Sequence, residues 1–390
     1  MIARRFKRPL AATLALGPWS SRRLGPPKRG LIDTPPTDPR AGIAIVQDLE
    51  LEPPLPPPPN PSEWPHIEPG LLTELHRTLC PEIKALRIGD FRRARYFQPT
   101  FAVIDARDRL LHEFSQGWDE TARGYNYAFE QIRLHRPHVL HGRSLLLDAR
   151  THSQNYFHWL IEAMPRIAFA QNVGWALADF DHVLVSNPKR PFHQETLALA
   201  GINPAKVVDT AIHPHVECDI LVAVSDLRMF AYDASIVALK KLFAAQLEKC
   251  NKGERAKIFV SRSDANHRLL LNEEEVFSEL RPLGFERVML GALSITEQAA
   301  LFAQAKIVVS LHGAALANLV FCQRGTTIVE IHHPNYTLGL YWQMAERLGL
   351  RYSAVLGTST GGIADPRHAD LTMDAEALAN HVAHLSAVFC

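Results

Sequence analysis

The sequence predicts an α/β protein with two Rossmann-like lobes and a cleft between them, preceded by a proline-rich tail. Short hydrophobic segments alternate with amphipathic ones from about residue 100 onwards, which is typical of parallel strands that helices cover on both faces. Two such stretches flank a long amphipathic segment at residues 234–250. A chain of 390 residues is also long enough for two domains. We expect ligands at the carboxyl ends of the strands.

The first 70 residues differ in composition from the rest of the chain. They hold 16 of the 27 prolines, six of them within residues 53–59, and this predicts a largely disordered tail. The first 30 residues carry eight basic side chains and no acidic one, whereas residues 31–390 carry 34 basic and 41 acidic side chains. The net charge of the whole chain is only +1, which argues against a nucleic-acid-binding protein.

Cysteine usage and hydropathy predict a cytoplasmic protein. The five cysteines are scattered without C-x-x-C spacing, which is typical of reduced thiols. No uncharged apolar run reaches the roughly 18 residues that span a bilayer. Residues 1–16 resemble a signal peptide, but the apolar part is only seven residues long and Gly17-Pro18 ends it. The basic tail instead predicts peripheral contact with the anionic inner face of a membrane.

The N-terminal lobe is expected over residues 71–233. Its strands are aliphatic runs bounded by polar residues, and its helices have apolar residues at helical spacing. Strands are predicted at 100–105, 144–148, 181–186, 206–208 and 220–224, with helices from 155 and over 192–200. A long helix over 234–250 follows, because Ile236, Leu239 and Phe243 recur at helical spacing.

The C-terminal lobe is expected over residues 234–368, and its alternation is cleaner. Strands are predicted at 257–260, 286–289, 307–311 and 327–331, with helices over 272–280 and 295–305 and from 314. A final amphipathic helix lies within residues 369–390, and we expect it to pack back on the N-terminal lobe.

One candidate anion site is the segment IVVSLHGAALANLVF, residues 307–321. A buried strand leads directly into His312, Gly313 and Ala314, where small side chains let a ligand approach the backbone N–H groups at the start of a helix. A tight turn capped by His312 is the structural alternative. Glu330 lies near the end of the next strand, where a carboxylate can accept hydrogen bonds from ribose hydroxyls, although ion-paired acids are also common there.

A second candidate is the segment IFVSRSDANHRLLLNEEE, residues 258–275. The strand delivers Arg262 to its carboxyl end, and Arg268 follows six residues later. Two guanidinium groups suit bidentate recognition of phosphate. Surface ion pairing of Arg262 is the alternative.

A third candidate is the segment QNYFHWLIEAMPRI, residues 154–167. The residues Asn155, His158, Glu162 and Arg166 follow one another at spacings of three, four and four, which places them along one face of an otherwise apolar helix. The side chain of His158 or Glu162 could therefore act as a general base in a cleft. A buried histidine beside a Glu162–Arg166 pair is equally compatible with the pattern. Pro165 should kink or end the helix.

Several other motifs are absent or weak. The sequence lacks a phosphate-loop motif, a G-x-G-x-x-G fingerprint and a G-x-S-x-G elbow. The D-x-D sequence at residues 179–181 precedes a strand, which favours a turn over a metal–nucleotide site. The histidines at 213, 215, 332 and 333 could bind a metal, but no companion ligands are apparent.

Together, NYFHWLIEAMPRI, VSRSDANHRLLLNEEE and LHGAALANLVFCQRGTTIVEI resemble the catalytic domain of glycosyltransferase family 61, whose bacterial members are described as capsular polysaccharide biosynthesis proteins. The resemblance spans roughly residues 140–357 and leaves out the tail. It implies a GT-B fold in which the N-terminal lobe binds the acceptor and the C-terminal lobe binds a nucleotide-sugar, most simply a UDP-sugar. It also implies sugar transfer with inversion to a glycan, polysaccharide or lipid-linked saccharide, without an obligatory metal or other cofactor.

The resemblance also implies roles for individual residues. The residues implied at the donor are Arg262, Arg268, His312, Gly313, Ala314 and Glu330, with the arginines on the diphosphate and Glu330 near the ribose. On the acceptor side, His158 is implied as the general base and Glu162 as its substitute, with Asn155 and Arg166 nearby. Two other classes remain open: a non-catalytic nucleotide-sugar-binding or scaffold protein of the same fold, and a metal-dependent hydrolase.

Overall fold

The structure is a computed structural model that divides into two compact units. It describes residues 27, 29–31, 34–49, 67, 69–77, 86–115, 126–148, 154–225, 232–250, 256–361 and 365–389. Unit 1 comprises residues 1–51 and 83–231, and unit 2 comprises residues 52–82 and 232–390. The predicted polyproline segment at 53–59 and most of the predicted tail lie outside the described residues.

The helices and strands are numbered in chain order. The strands are β1 Arg29–Leu31, β2 Ile43–Asp48, β3 Arg87–Phe97, β4 Ala102–Ile104, β5 Arg109–Leu111, β6 His138–Leu146, β7 His182–Val185, β8 Val207–Asp209, β9 His215–Val224, β10 Ala256–Val260, β11 Phe285–Val288, β12 Ala305–Leu311, β13 Thr327–His332, β14 Arg351–Leu356, β15 Thr358–Ser359 and β16 Leu371–Thr372. The helices are α1 Pro69–Arg77, α2 Tyr156–His158, α3 Pro165–Asn172, α4 Pro191–Leu199, α5 Tyr232–Leu242, α6 Ala244–Cys250, α7 Glu273–Leu280, α8 Ile295–Ala303, α9 Leu340–Leu348 and α10 Ala375–Phe389.

Unit 1 is built on a mixed nine-stranded sheet. Its strand order is β1-β5-β4-β3-β9-β6-β7-β8, with β2 paired to β3. The four strands β9, β6, β7 and β8 are parallel, as the alternating pattern predicts. Strands β2, β3 and β4 form antiparallel pairs, and β3 pairs antiparallel with β9. The sequence predicts only β4 of these three, because charged residues interrupt the apolar pattern of β3.

Strand β6 of unit 1 contains a bulge. Its pairing with β9 shifts by one residue between Leu140 and Arg143, whereas β3 and β9 keep one register on both sides of Arg93 and Asp219. Arg93 has φ 53° and Gly142 has φ 89°, so both have left-handed backbone. Bulges like the one in β6 bend a strand and increase its twist.

Unit 2 contains a five-stranded, wholly parallel sheet in the order β11-β10-β12-β13-β14. Helices α7 and α10 pack on one face through side chains such as Leu280 and Val382. Ile258, Val308 and Ile328 alternate onto the opposite face and are fully buried as well. The prediction of parallel strands covered on both faces by helices is confirmed in this unit.

Some elements differ from the predictions. Strands β1 and β2 lie within the expected tail, where the proline content predicted little regular structure. The expected helix at 234–250 is divided into α5 and α6 at the buried Phe243. Helix α10 packs on the sheet of unit 2, although we expected it on the N-terminal lobe. Within the described part of the chain, no helix combines the length and the apolar character that crossing a bilayer requires.

Candidate functional site

The strand order of unit 2 reverses beside two of the predicted motifs. Strand β10 is first in the chain but second in the sheet, so the order of strands reverses between β10 and β12. Ligands of open parallel sheets bind at the carboxyl ends of the strands where this reversal occurs. Arg262 follows β10 closely, and His312 and Gly313 follow β12 directly.

Arg262 lies directly against Gly313. Its Nε and Nη2 donate to the carbonyl oxygens of Arg268 and His267, each at 3.2 Å. A Cβ atom on Gly313 would lie 2.0 Å from Nη1 of Arg262. The glycine therefore lets the guanidinium approach the backbone, and the structure brings together two of the segments that the sequence singles out.

The guanidinium groups of Arg262 and Arg268 lie near each other at this site. The guanidinium of Arg268 lies 5.7 Å from the ring of Tyr336. Among the described residues, no carboxylate forms an ion pair with Arg262 or Arg268. Burial, and then the positive charge of Arg268, lower the pKa of Arg262 to about 10. Two such cations would be stabilised by a bound anion.

Ala314 begins a helix, as predicted, but the helix is of the 3₁₀ type and spans Ala314–Phe321. Its first N–H groups have no partner within the helix and follow Gly313 directly. The carbonyl oxygen of Gly313 accepts a 2.6 Å hydrogen bond from the hydroxyl of Tyr341 on α9. This bond fixes the peptide where the 3₁₀ helix begins.

His312 belongs to a buried hydrogen-bonded cluster. Its Nδ1 lies 2.5 Å from Oε1 of Glu330, and Oε2 of Glu330 accepts a 2.5 Å hydrogen bond from the hydroxyl of Tyr352. Nε2 of His332 lies 3.2 Å from the Tyr352 hydroxyl. Glu330 is fully buried, so its carboxylate contacts these side chains and would need to rearrange to reach the predicted ribose.

The pKa values of the cluster follow from its burial and its hydrogen bonds. Burial would raise the pKa of Glu330, but the adjacent His332 and the hydrogen bond with His312 outweigh burial and lower this pKa to about 2. Burial lowers the pKa of His312. An ionised carboxylate only accepts hydrogen bonds, so the proton of a neutral His312 lies on Nδ1.

Within the described residues, the donor atoms of this cluster are spaced closely enough to hold a metal ion. One donor atom each from His312, Glu330 and His332 lies within 4.8 Å of the others. Both oxygens of Glu330 already accept short hydrogen bonds, which a metal would have to replace. The geometry therefore favours a hydrogen-bonded network over a metal centre.

The third predicted segment lies in unit 1. The side chain of Asn155 caps α2 by accepting a 2.9 Å hydrogen bond from the N–H of Phe157. Nδ1 of His158 lies 2.9 Å from Oε1 of Glu162, in agreement with the predicted shared face. The His158 side chain is 29% exposed and that of Glu162 is 6% exposed. His158 is therefore better placed than Glu162 to meet a ligand.

The helix that carries these residues is interrupted before Pro165, as predicted. Residues Trp159–Ala163 form a π-helical turn, in which the N–H of Met164 donates to the carbonyl of Trp159. Such turns are frequent at functional sites. Arg166 is fully buried and donates to the carbonyl oxygens of Glu162 and Val224, each at 3.0 Å. In this position Arg166 holds the helix to β9 and would have to rearrange to contact an acceptor.

The sequence misses two tyrosines of the site in unit 2. Tyr341 and Tyr352 come from α9 and β14, neither of which was predicted. No local pattern marks them, because their role depends on contacts with Gly313 and Glu330 from other elements. The D-x-D sequence is part of a turn, in which Asp179 accepts a hydrogen bond from the N–H of Ala176.

Part of the chain is similar to a known protein family. The family described as Glycosyltransferase 61 matches residues 156–329. The matched span includes His158, Glu162, Arg262, Arg268 and His312, and it ends directly before Glu330. Among curated proteins, none matches the sequence significantly. Over these residues, which are less than half of the chain, the protein is similar to glycosyltransferase family 61.

Proposed function

We propose that this protein moves a sugar from a nucleotide diphosphate donor to a hydroxyl group of a glycan or polysaccharide, with inversion at the anomeric carbon. The observation that carries the proposal is the pair of guanidinium groups of Arg262 and Arg268, neither of them ion-paired within the described residues, beside Gly313 at the strand reversal of a parallel sheet. A diphosphate is an anion of suitable charge for two guanidinium groups. A UDP-sugar is the donor that we favour, and the sugar would be a hexose or pentose.

Each donor-side residue then has a chemical task. Arg262 and Arg268 stabilise the charge that develops on the leaving nucleoside diphosphate. The N–H groups at the start of the 3₁₀ helix, near Gly313 and Ala314, donate hydrogen bonds to phosphate oxygens. His312 adds a further donor when it is protonated. These contacts require no metal.

On the acceptor side, we propose that His158 is the general base. Inversion requires a base that removes the proton of the acceptor hydroxyl as that oxygen attacks. The hydrogen bond with Glu162 orients the His158 ring and would stabilise the imidazolium that forms. Glu162 is the substitute base. Asn155 acts by capping the helix that carries both residues.

The wider assignment follows the family resemblance. We propose that units 1 and 2 are the acceptor and donor lobes of a GT-B enzyme of capsular polysaccharide biosynthesis. We also propose a cytoplasmic location, peripheral at the inner membrane face. The parallel sheet of unit 2 supports the Rossmann-like character of the donor lobe.

Donor binding tests the proposal. Because a ligand stabilises the folded state that binds it, UDP-, GDP- and CMP-sugars can be screened by their effect on the melting temperature. We expect one UDP-sugar to raise the melting temperature of the wild-type protein and of Arg281→Ala, which removes an exposed arginine of unit 2. Arg262→Ala should lose the shift.

A transfer assay in the same preparation separates an enzyme from a binding protein. We expect His158→Ala to retain the donor-dependent shift and to transfer sugar about 10²-fold to 10⁴-fold more slowly, which is typical for loss of a general base. If Arg262→Ala bound the donor as well as the wild type, the proposed diphosphate site would be wrong. Binding without any transfer by the wild type would favour the non-catalytic alternative.

A further inference from the structure

One ring nitrogen of His312 is hydrogen-bonded, and the other has no hydrogen-bond partner among the residues that the structure describes. Nδ1 is engaged with Glu330 at 2.5 Å, so Nε2 is the nitrogen that can meet a ligand. In neutral His312 the proton is on Nδ1, and Nε2 then carries a lone pair. A lone pair repels phosphate oxygens, whereas a protonated Nε2 donates to them. The protonation state of His312 therefore decides whether it opposes or supports anion binding.

The groups around His312 keep it neutral when no anion is bound. The charged and titratable groups nearest to it are Glu330 and His332 on β13, Tyr336 after β13, Tyr341 on α9, Tyr352 on β14, and Arg262 and Arg268 after β10. Burial and the positive charge of Arg268 oppose protonation of His312, while the carboxylate of Glu330 favours it. An arriving diphosphate would neutralise the arginines and reverse this balance.

We propose that Glu330 is a positioning residue for His312, and that binding of the donor diphosphate is coupled to the uptake of one proton by His312. This inference rests on the proposed function. The proton comes from solvent and ends on Nε2, where it forms a hydrogen bond with a phosphate oxygen. Glu330 keeps Nδ1 protonated throughout and so directs the new proton to Nε2.

Tyr352 and His332 hold the carboxylate of Glu330 in place beside His312. The hydroxyl of Tyr352 donates its hydrogen bond to Oε2 of Glu330, so its oxygen accepts from Nε2 of His332 at 3.2 Å. The hydroxyl group thus holds Glu330 in its ionised form, since hydrogen bonds to a carboxylate favour the charged state. Loss of the hydroxyl should weaken the coupling without removing it.

Calorimetry can count the protons. A nucleotide-sugar such as UDP-glucose or GDP-mannose is titrated into the full-length protein at about pH 8 in HEPES, Tricine and Tris, which all buffer at this pH and differ in ionisation enthalpy. The diphosphate of these probes is a diester that does not titrate near neutral pH. We expect uptake of close to one proton per bound probe, and an affinity that falls about tenfold per pH unit in this range.

Variants assign the proton to His312. We expect His312→Gln to bind without proton uptake, and Glu330→Gln to bind about tenfold more weakly with little uptake. Tyr352→Phe, which removes a single buried hydroxyl, should show intermediate uptake and serves if Glu330→Gln does not fold. Ser353→Ala is the matched control, because its hydroxyl lies on the neighbouring residue and pairs with His381. It should behave as the wild type does.

Two results would overturn the inference while leaving the proposed function intact. One is wild-type binding without net proton uptake and without pH dependence. The other is full uptake that persists in His312→Gln. If neither probe, nor any other nucleotide-sugar, binds the wild type, the proposed function itself fails and this inference fails with it.

Discussion

Asp148 is a buried carboxylic acid of unit 1 that the sequence does not mark. Its Oδ2 accepts hydrogen bonds from the hydroxyls of Tyr96 and Thr210, each at 2.9 Å. Burial raises the pKa of Asp148 to about 6, although these hydrogen bonds and the nearby Arg166 favour the ionised form. The free-energy cost of burying the ionised carboxylate is thus larger than the stabilisation that its hydrogen bonds and Arg166 provide.

This pKa predicts how the stability of the protein depends on pH. Between about pH 4 and pH 6 the folded state holds a proton on Asp148 that the unfolded state has lost, so stability decreases as pH rises through this range. The free energy of unfolding should fall by up to about 3 kcal/mol over the window. Urea unfolding of the wild type and of Asp148→Asn at each pH measures the difference. Parallel pH profiles of the two proteins would contradict the prediction.

At the scale of single residues, the sequence predicts those site residues whose position follows from the adjacent segment of the chain. Arg262, His312 and Gly313 follow aliphatic strands directly, and the site contains all three. Tyr352 and Asp148 depend on partners from remote segments, so no local pattern reveals them. Glu330 also differs from the prediction of a ribose contact, because its side chain points into the interior and is fully buried.

Among the elements, strand β6 of unit 1 has a bulge where it pairs with β9. Gly142 lies within this bulge, with φ 89°. A Cβ atom there would also lie 2.0 Å from Oδ2 of Asp181, which accepts a 2.8 Å hydrogen bond from the N–H of Arg143. The glycine therefore meets both a backbone and a packing requirement.

Gly142→Ala should destabilise unit 1 more than a glycine substitution that only affects the backbone. Gly174 is the matched control, because it has φ 96° but no atom lies within 4 Å of the position that a Cβ would take. We expect Gly174→Ala to cost about 1 kcal/mol, and Gly142→Ala about 1–2 kcal/mol more, from the clash with Asp181. Chemical unfolding of both variants gives the comparison. Equal losses would show that the Asp181 contact does not matter.

Element prediction succeeds where burial covers both faces. Strands β12 and β13 of unit 2 are buried and largely aliphatic, and all but β14 of its parallel sheet were predicted, with small errors at their ends. Strand β3, in contrast, has two exposed residues in its centre, and charged residues interrupt its apolar pattern. Its position in the sheet depends on pairing with β2, β4 and β9. This pairing joins separate parts of the chain, so no local sequence pattern predicts it.

For the molecule as a whole, the boundary between the basic N-terminus and the folded part of the chain lies earlier than the proline content predicted. Strand β1 pairs with β5, and Asp38 forms a 2.9 Å ion pair with Arg109. The described residues between 27 and 49 therefore contribute to unit 1, and a deletion that tests the tail should stop before residue 27. Residues 1–26 still carry six basic side chains and no acidic one.

Deletion of residues 1–26 should abolish binding to anionic vesicles and leave the melting temperature unchanged. Each basic residue near an anionic surface contributes about 1 kcal/mol, and salt screens this attraction. Sedimentation with phosphatidylserine-containing vesicles, with phosphatidylcholine vesicles as the control, measures the binding. Deletion of residues 1–40 should additionally lower the melting temperature, because it removes β1 and Asp38. Undiminished vesicle binding without residues 1–26 would refute this role of the tail.

The assignment of residues 52–82 to unit 2 also has a consequence for biogenesis. Helix α1 contacts β14, which is encoded more than 250 positions later in the chain. A ribosome that has translated residue 231 has delivered every segment of unit 1 but, of the described helices and strands of unit 2, only this first helix. During synthesis unit 1 can thus mature early, whereas α1 must wait for its strand until translation is nearly finished.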